Sequence, residues 1–254
     1  MGRNRNHTHR SFRRAAHRLS HHRALCSAAE GADALFLLLA GDLLGGGAPA
    51  TEVLDVAGAD GVRRVVLLFS QINATRPDAP SYARLREFEE AVRSSGLDWT
   101  ILRAGGFASN AHAWAESVRR QRTVVAPFGS VALPVVDPAD IAEAAAMALR
   151  DEGHAGQTYE LTGPTAITPR CQAAALGEKV RFVELTREQA REHMALFMPE
   201  PVIDGTLDIL AEPRPEEQRV SPDIEKLLGR PANAFTDWAA RNRPHLQVAV
   251  AATP

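Results

Sequence analysis

The sequence predicts a doubly wound α/β fold, in which helices cover both faces of a parallel sheet. Apolar runs of strand length recur at 34–40 (ALFLLLA), 63–70 (RRVVLLFS) and 99–102 (WTIL). Between them the apolar residues take helical spacing for ten or more positions. Strands without a polar face need cover on both sides, and crossover helices on a parallel sheet supply it. At 254 residues, 45% hydrophobic and 24% charged, the chain is long enough to bury such a core.

The elements follow in order. After the strand 34–40, Pro49 opens a helix with Val53, Leu54, Val56 and Ala57 at helical spacing, and Gly58 or Gly61 closes it. The strand 63–70 leads to YARLREFEEAVRSSGL, where Leu85, Phe88, Ala91 and Val92 share a face and Gly96 stops the helix before the strand 99–102. VALPVV is extended, Asp137-Pro138 opens a helix that is alanine-rich over 141–149, and QTYELTGP (157–164) is a strand stopped by Gly163-Pro164. Farther on, LTREQAREHMALFM, PVIDGTLDIL and DIEKLLG are short helices punctuated by prolines, and RPEEQ (214–218) is a polar break. The expected organisation is a basic, unfolded head (1–23), a sheet domain (24–165), a small, mostly helical substrate-side lobe (166–246) and a frayed tail (247–254). No internal repeat is visible.

Charge is unevenly placed. Residues 1–23 hold seven arginines, five histidines and no acid; of the 29 basic and 31 acidic residues in the chain, the remainder keeps 22 and 31, a net of −9. Phe12 is the only aromatic residue in that head, and no basic stripe recurs, so a solvated tail is expected and nucleic acid is not. Cys26 and Cys171 lie far apart without metal-ligand spacing, which supports neither a disulfide framework nor zinc and makes a reducing cytoplasm the default. The Arg-rich start imitates a signal or transit peptide, but Glu30, Asp33 and Asp42 interrupt it. Its seven-residue apolar run is far below the ~20 residues that span a bilayer, so no membrane partner is expected.

One glycine cluster has the pattern of a phosphate loop. Gly41, Gly45 and Gly47 follow a strand and precede a helix, so they are either a pyrophosphate cradle or a flexible turn. No charged residue ends the next strand to read a ribose; LFSQIN offers Ser70, Gln71 and Asn73.

GADALFLL, GVRRVVLLFS, FEEAVRSSGLDWTILRAGGFASN, VVDPADIAEAAAMAL and YELTGPTAITP together resemble the NmrA-like branch of the atypical short-chain dehydrogenase/reductase superfamily, over about residues 24–245. SGLDWTILR is the most specific block. The resemblance implies a Rossmann-like fold, NADP(H) or NAD(H), and reduction of a small carbonyl, quinone or azo substrate by hydride transfer. By the same comparison 34–40 corresponds to the family's fourth strand. An Arg- and His-rich stretch stands where the first strands and glycine loop belong, so the expected sheet is N-terminally truncated and its dinucleotide affinity weak. A non-catalytic NAD(P)-sensing regulator and a homologue that has lost cofactor binding are the alternatives.

The resemblance also implies a site. Arg103-Ala104-Gly105-Gly106 stands where the family's Arg-Pro-Gly turn passes the nicotinamide; Gly105 lets the backbone approach the ring, Phe107 walls the pocket and Asn110 caps the next helix. Otherwise Arg103 anchors a carboxylate and Phe107 is core. Ser70 and Gln71 line the nicotinamide ribose, or Ser70 caps a turn; Leu39, Ala40 and Gly41 lie beside the cofactor. Tyr82 and Arg86 have the spacing of the superfamily's catalytic Tyr-x-x-x-Lys, although an arginine cannot relay a proton at neutral pH, and Tyr82 otherwise sits at the surface of a helix start. His112 and Trp114 face the substrate or pack. His193, Met194, Phe197 and Met198 floor a substrate pocket or form a core helix. Asp137 and Asp140 resemble a structural block at a helix start rather than catalytic acids. No metal motif, Ser-His-Asp order or nucleophilic cysteine is visible. A small-molecule substrate is the expected partner. The open edge of 34–40 predicts a homodimer, or cover by 10–25 folding back as a helix.

Overall fold

The computed structural model describes residues 31–39, 49–198 and 200–246. Strand β1 (Ala34–Leu38) is followed by α1 (Ala50–Ala59), β2 (Arg64–Ser70), the four-residue α2 (Ile72–Thr75), α3 (Ala83–Ser94) and β3 (Asp98–Ala104). A 3₁₀ segment (Ala108–Trp114), α4 (Ala115–Gln121), β4 (Thr123–Pro127), α5 (Pro138–Arg150) and β5 (Gln157–Leu161) come next. The chain continues through α6 (Pro169–Leu176), β6 (Arg181–Leu185), α7 (Arg187–Met194), α8 (Glu200–Ala211), α9 (Pro215–Gln218), α10 (Asp223–Leu228) and α11 (Phe235–Leu246).

The main sheet runs β1-β2-β3-β5, with every pair parallel. Leu37, Val65, Leu67 and Ile101 point to one face, where Val53 and Leu54 of α1 and Phe88 and Val92 of α3 cover them. Val66, Leu68 and Leu102 point to the other, under Ile141, Ala144 and Ala148 of α5 and Ile224 of α10. Both faces are buried, which is why these strands carry no polar alternation. The expected doubly wound α/β architecture is the observed one.

Three local features depart from expectation. β4 and β6 pair in a separate two-stranded parallel sheet. One of its strands lies before residue 165 and the other after it, so the sheet joins the two expected parts. RPEEQ is no break: Pro215–Gln218 is a helical turn whose Glu217 is fully buried. VALPVV forms only isolated bridges, Phe107 to Val136 and Leu133 to Ile167, because it crosses the ends of strands instead of lying beside them.

β1 stands at a sheet edge among the described residues. Its Phe36 and Leu38 remain 39% and 49% exposed, on the face opposite buried Leu37. No helix among the described residues is long and apolar enough to cross a membrane.

Candidate functional site

Parallel register aligns the carboxyl ends of the main strands on one rim. Leu38 stands opposite Leu68, Ser70 opposite Ala104, and Ala104 opposite Leu161. Beyond these pairs the Gln71 N–H donates to the Ala104 carbonyl (3.0 Å) and the Gly105 N–H to that of Leu161 (2.9 Å). Residues 133–136 then cross the rim: the Val136 N–H donates to Gly106 (2.8 Å), Ala108 donates to Val136 (2.8 Å) and Gly163 donates to Pro134 (3.0 Å). A Cβ on Gly163 would collide with the Val135 carbonyl, so this crossing requires glycine.

Among the residues expected at the cofactor, Ser70, Gln71 and Gly105 meet on this rim. Ser70 Oγ accepts from the Ile72 N–H (3.3 Å), so it caps the turn while lying half-buried at the strand end. The Gln71 carboxamide lies over Gly105, each of its terminal atoms 3.7 Å from where a Cβ would stand. It is half-buried, and no hydrogen bond joins it to another described residue. The backbone does not demand glycine at Gly105, because a Cβ there would make only ordinary contacts. Phe107 is half-buried against the cluster around Leu68, Leu102 and Val136, and Leu39 is buried in the cluster on the other face. Ala40 and Gly41, like Gly45 and Gly47, lie outside the described residues.

This donor set fits the uncharged nicotinamide–ribose end of a dinucleotide: a hydroxyl, an uncommitted carboxamide and a flanking aromatic, at the strand ends where such folds hold ligands. Those side chains carry no charge, and among the described residues no His, Cys, Asp and Glu group is placed to hold a metal.

Below the rim, Arg103 does anchor a carboxylate. It pairs with Glu89 of α3, which also accepts from Asn73 (3.0 Å) and Arg93 (3.0 Å). Burial pushes the Glu89 carboxyl up, but Arg103, Asn73 and Arg93 together hold it below the ordinary range. Glu89 sits between Leu85 and Val92 on an apolar helix stripe, a signal of burial that the sequence carried.

Tyr82 is not at the surface. It is 4% exposed, and its hydroxyl is aimed at α8, where a Cβ on Gly205 would fall 2.6 Å from the oxygen. The hydroxyl has no well-aligned hydrogen bond among the described residues; neighbouring Thr206 donates to the Val202 carbonyl (2.8 Å). Burial raises its pKa, with Thr206 and Arg76 opposing. Arg86 donates to the Ala79 carbonyl (2.9 Å), and no hydrogen bond joins it to Tyr82.

The remaining candidates are mainly packing residues. His112 is exposed with its ring edge-on to Trp238 at 5.1 Å, and Trp114 packs in the cluster of Ala108, Val118 and Val124. Asn110 caps nothing: the 3₁₀ segment begins without a side-chain cap, and α4 starts only after Trp114. α7 ends at Met194, before half of the expected stripe, and Met194 and Met198 join Phe128, Ile203 and Leu207 while Phe197 is 65% exposed beside His193. Asp137 caps α5 through the Ala139 N–H (2.9 Å) and pairs with Arg241. Buried Asp140 accepts from the Asn233 N–H (2.7 Å) and pairs with Arg230 (2.9 Å), so both acids are structural.

A four-stranded parallel sheet covered by helices on both faces is the doubly wound, Rossmann-like class of fold. Residues 6–152 match a family described as NAD(P)H-binding. The chain is 38% identical over 227 residues to the (4-alkanoyl-5-oxo-2,5-dihydrofuran-3-yl)methyl phosphate reductase of Streptomyces griseus, over 86% of this chain and 79% of that protein. It is 34% identical over 171 residues to the NAD(P)H azoreductase of Xenophilus azovorans, over 64% of this chain and 60% of that one. Among solved structures, the NADPH-dependent quinone oxidoreductase of Escherichia coli complexed with NADPH shares the fold with a TM-score of 0.72 at 23% identity, over 89% of this chain and 81% of that one. NmrA, a negative transcriptional regulator, in complex with NAD, gives a TM-score of 0.62 at 18% identity, over 88% and 78%. The chain belongs to the family described as NAD(P)H-binding.

Proposed function

We propose that this protein is an NAD(P)H-dependent oxidoreductase that reduces a small quinone, azo or carbonyl compound at the strand-end rim. The observation that carries the site is the uncommitted Gln71 carboxamide over Gly105, beside Ser70. Bound there, the dihydronicotinamide supplies a hydride. Ser70 and Gln71 hydrogen-bond the ribose and carboxamide end of the dinucleotide, Gly105 keeps the space beside Gln71 open, and Phe107 limits access of water. Leu39 supplies an apolar flank.

Tyr82 and Arg86 have no direct part in this reading. The tyrosine hydroxyl is enclosed by α8 and Arg86 holds the Ala79 carbonyl, so the proton that accompanies the hydride comes from solvent. That favours acceptors such as quinones and azo compounds, whose reduced nitrogen or oxygen takes a proton from water without a positioned acid. His112 and Trp114, packed near Trp238 and Val118, have no direct part in this reading either.

Steady-state oxidation of NADPH with a panel of quinones and azo dyes tests the proposal. Saturable turnover that falls at least tenfold in Gln71→Ala supports it. The enclosure of the Tyr82 hydroxyl by α8 favours a second reading, a regulator that senses the NAD(P) pool. Binding of the dinucleotide without turnover of any acceptor would establish that reading instead.

Exposed Phe36 and Leu38 support a homodimer through β1, and the exposed free thiol of Cys171 suits a reducing, cytoplasmic site of action.

A further inference from the structure

The rim residues Ser70 and Gln71 lead directly into α2, and one helical turn has almost no intrinsic stability. Only the Ser70 Oγ, accepting from the Ile72 N–H at 3.3 Å, caps it, and its first position follows the backbone of Gln71. Pairing with Ala104 fixes the backbone of Ser70 and Gln71, and the orientation of the turn beyond them depends on what grips Asn73, Thr75 and Arg76. Two buried carboxylates do so, from separate parts of the chain.

On one side Asn73 Nδ2 donates to Glu89 Oε2 (3.0 Å), and Arg103 Nε reaches the same oxygen at 3.3 Å. Arg103 lies on β3, two residues before Gly105, so Glu89 ties α2 to the strand whose end the Gln71 carboxamide covers. Asn73 Oδ1 is buried without a partner, which leaves Glu89 to orient that amide. On the other side Thr75 Oγ1 donates to Glu217 Oε1 (2.9 Å). The Arg76 guanidinium meets both Glu217 oxygens, at 2.8 and 3.0 Å. The Arg214 N–H completes the Glu217 shell at 2.8 Å, and its side chain binds the Thr75 carbonyl.

We infer that Glu89 and Glu217 are positioning residues, which clamp α2 from two sides and so set Ser70 and Gln71 against Gly105 for the dinucleotide. The inference rests on the cofactor reading above. A buried ion pair is a poor device for stability alone, because apolar residues of the same volume serve as well or better. What it adds here is direction, since bonds to Asn73, Thr75 and Arg76 admit one orientation of a helix too short to orient itself. Glu217 is also a contact by which a distant, four-residue helix, α9, reaches α2.

Glu89→Gln and Glu217→Gln test this, with Val62→Ala as a destabilising control at the amino end of β2, beyond the far end of the strand from Ser70. NADPH affinity is measured by calorimetry and backbone mobility by hydrogen exchange over 70–76. Both glutamine variants are expected to weaken NADPH binding about tenfold and to speed exchange over 70–76, because small misplacements of binding groups carry large penalties. Val62→Ala lowers the melting temperature and leaves affinity unchanged. Thr75→Val removes a single bond to Glu217 and, if Glu217→Gln does not fold, is expected to weaken binding about threefold. Glutamine variants that bind as the wild type does, or a control that weakens binding equally, overturn the inference. A wild type that binds no NADPH overturns the cofactor reading and the inference with it.

Discussion

The hydroxyl of Tyr82 stands 2.6 Å from the position a Cβ would take on Gly205, so α8 lies on the tyrosine at the closest approach a glycine permits. The contact explains both the glycine within a helix and the burial of a residue at the spacing of a catalytic tyrosine. Gly205→Ala should destabilise the protein by about 1–3 kcal/mol through overpacking. Tyr82→Phe removes an unpartnered buried hydroxyl and should be neutral or stabilising by about 1 kcal/mol, with NADPH oxidation unchanged. A urea double-mutant cycle should show the alanine better tolerated beside phenylalanine. A hundredfold loss of turnover in Tyr82→Phe would identify the tyrosine as the proton donor after all.

Acid should loosen the clamp on α2. Burial pushes Glu217 up, but Arg76, the Arg214 N–H and Thr75 hold its carboxyl below the ordinary range; Glu89 is lowered in the same sense. With folded values depressed below an unfolded value of about 4.3, the unfolded state binds more protons in between, so this stability is complete above about pH 5 and disappears as pH falls through the folded values. Urea midpoints followed from about pH 7 to pH 3 should fall less steeply in Glu217→Gln than in the wild type. Parallel curves would show that Glu217 is not held below its ordinary range.

Gly163→Ala should be among the most damaging single methyl additions. The new Cβ would meet the Val135 carbonyl, part of a backbone that cannot turn aside without breaking the Gly163–Pro134 hydrogen bond. A loss of roughly 3 kcal/mol or more is expected in thermal or urea melts. By contrast Gly105→Ala, with ordinary contacts only, should fold as the wild type does.

Association should run through β1. Sedimentation of the purified chain is expected to show a dimer, and Phe36→Lys with Leu38→Lys should shift it toward monomer, because lysine blocks edge pairing. A wild type that sediments as a compact monomer and binds no 8-anilinonaphthalenesulfonate would show that this edge is already covered.

Much of this fold was legible for one reason: β2 and β3 are buried on both faces, so their apolar runs stand out from any neighbour. Asp140 was read as structural from the family resemblance of the block around this helix start, and it is buried against Asn233 and Arg230. The β4–β6 sheet was hidden because β6 alternates weakly and is half exposed. RPEEQ read as a polar break because Arg76, the partner of its Glu217, lies 141 positions earlier, and no local pattern announces such a pairing. Tyr82 and Arg86 have the right spacing, but packing against α8, not spacing, decides where the hydroxyl points. The meeting of Ser70, Gln71 and Gly105 followed from the family resemblance; the freedom of the Gln71 carboxamide is visible only in three dimensions.

Titration of NADPH into wild-type and Gln71→Ala protein tests the proposed site most directly. The carboxamide has no hydrogen-bond partner among the described residues, so its removal should leave stability within about 0.5 kcal/mol of the wild type. Wild-type binding in the high micromolar range, near 10⁻⁴ M, about tenfold weaker in the variant at equal melting temperature, is the predicted result. Equal affinity in the two proteins would contradict it and would move the nicotinamide away from the rim formed by β2 and β3.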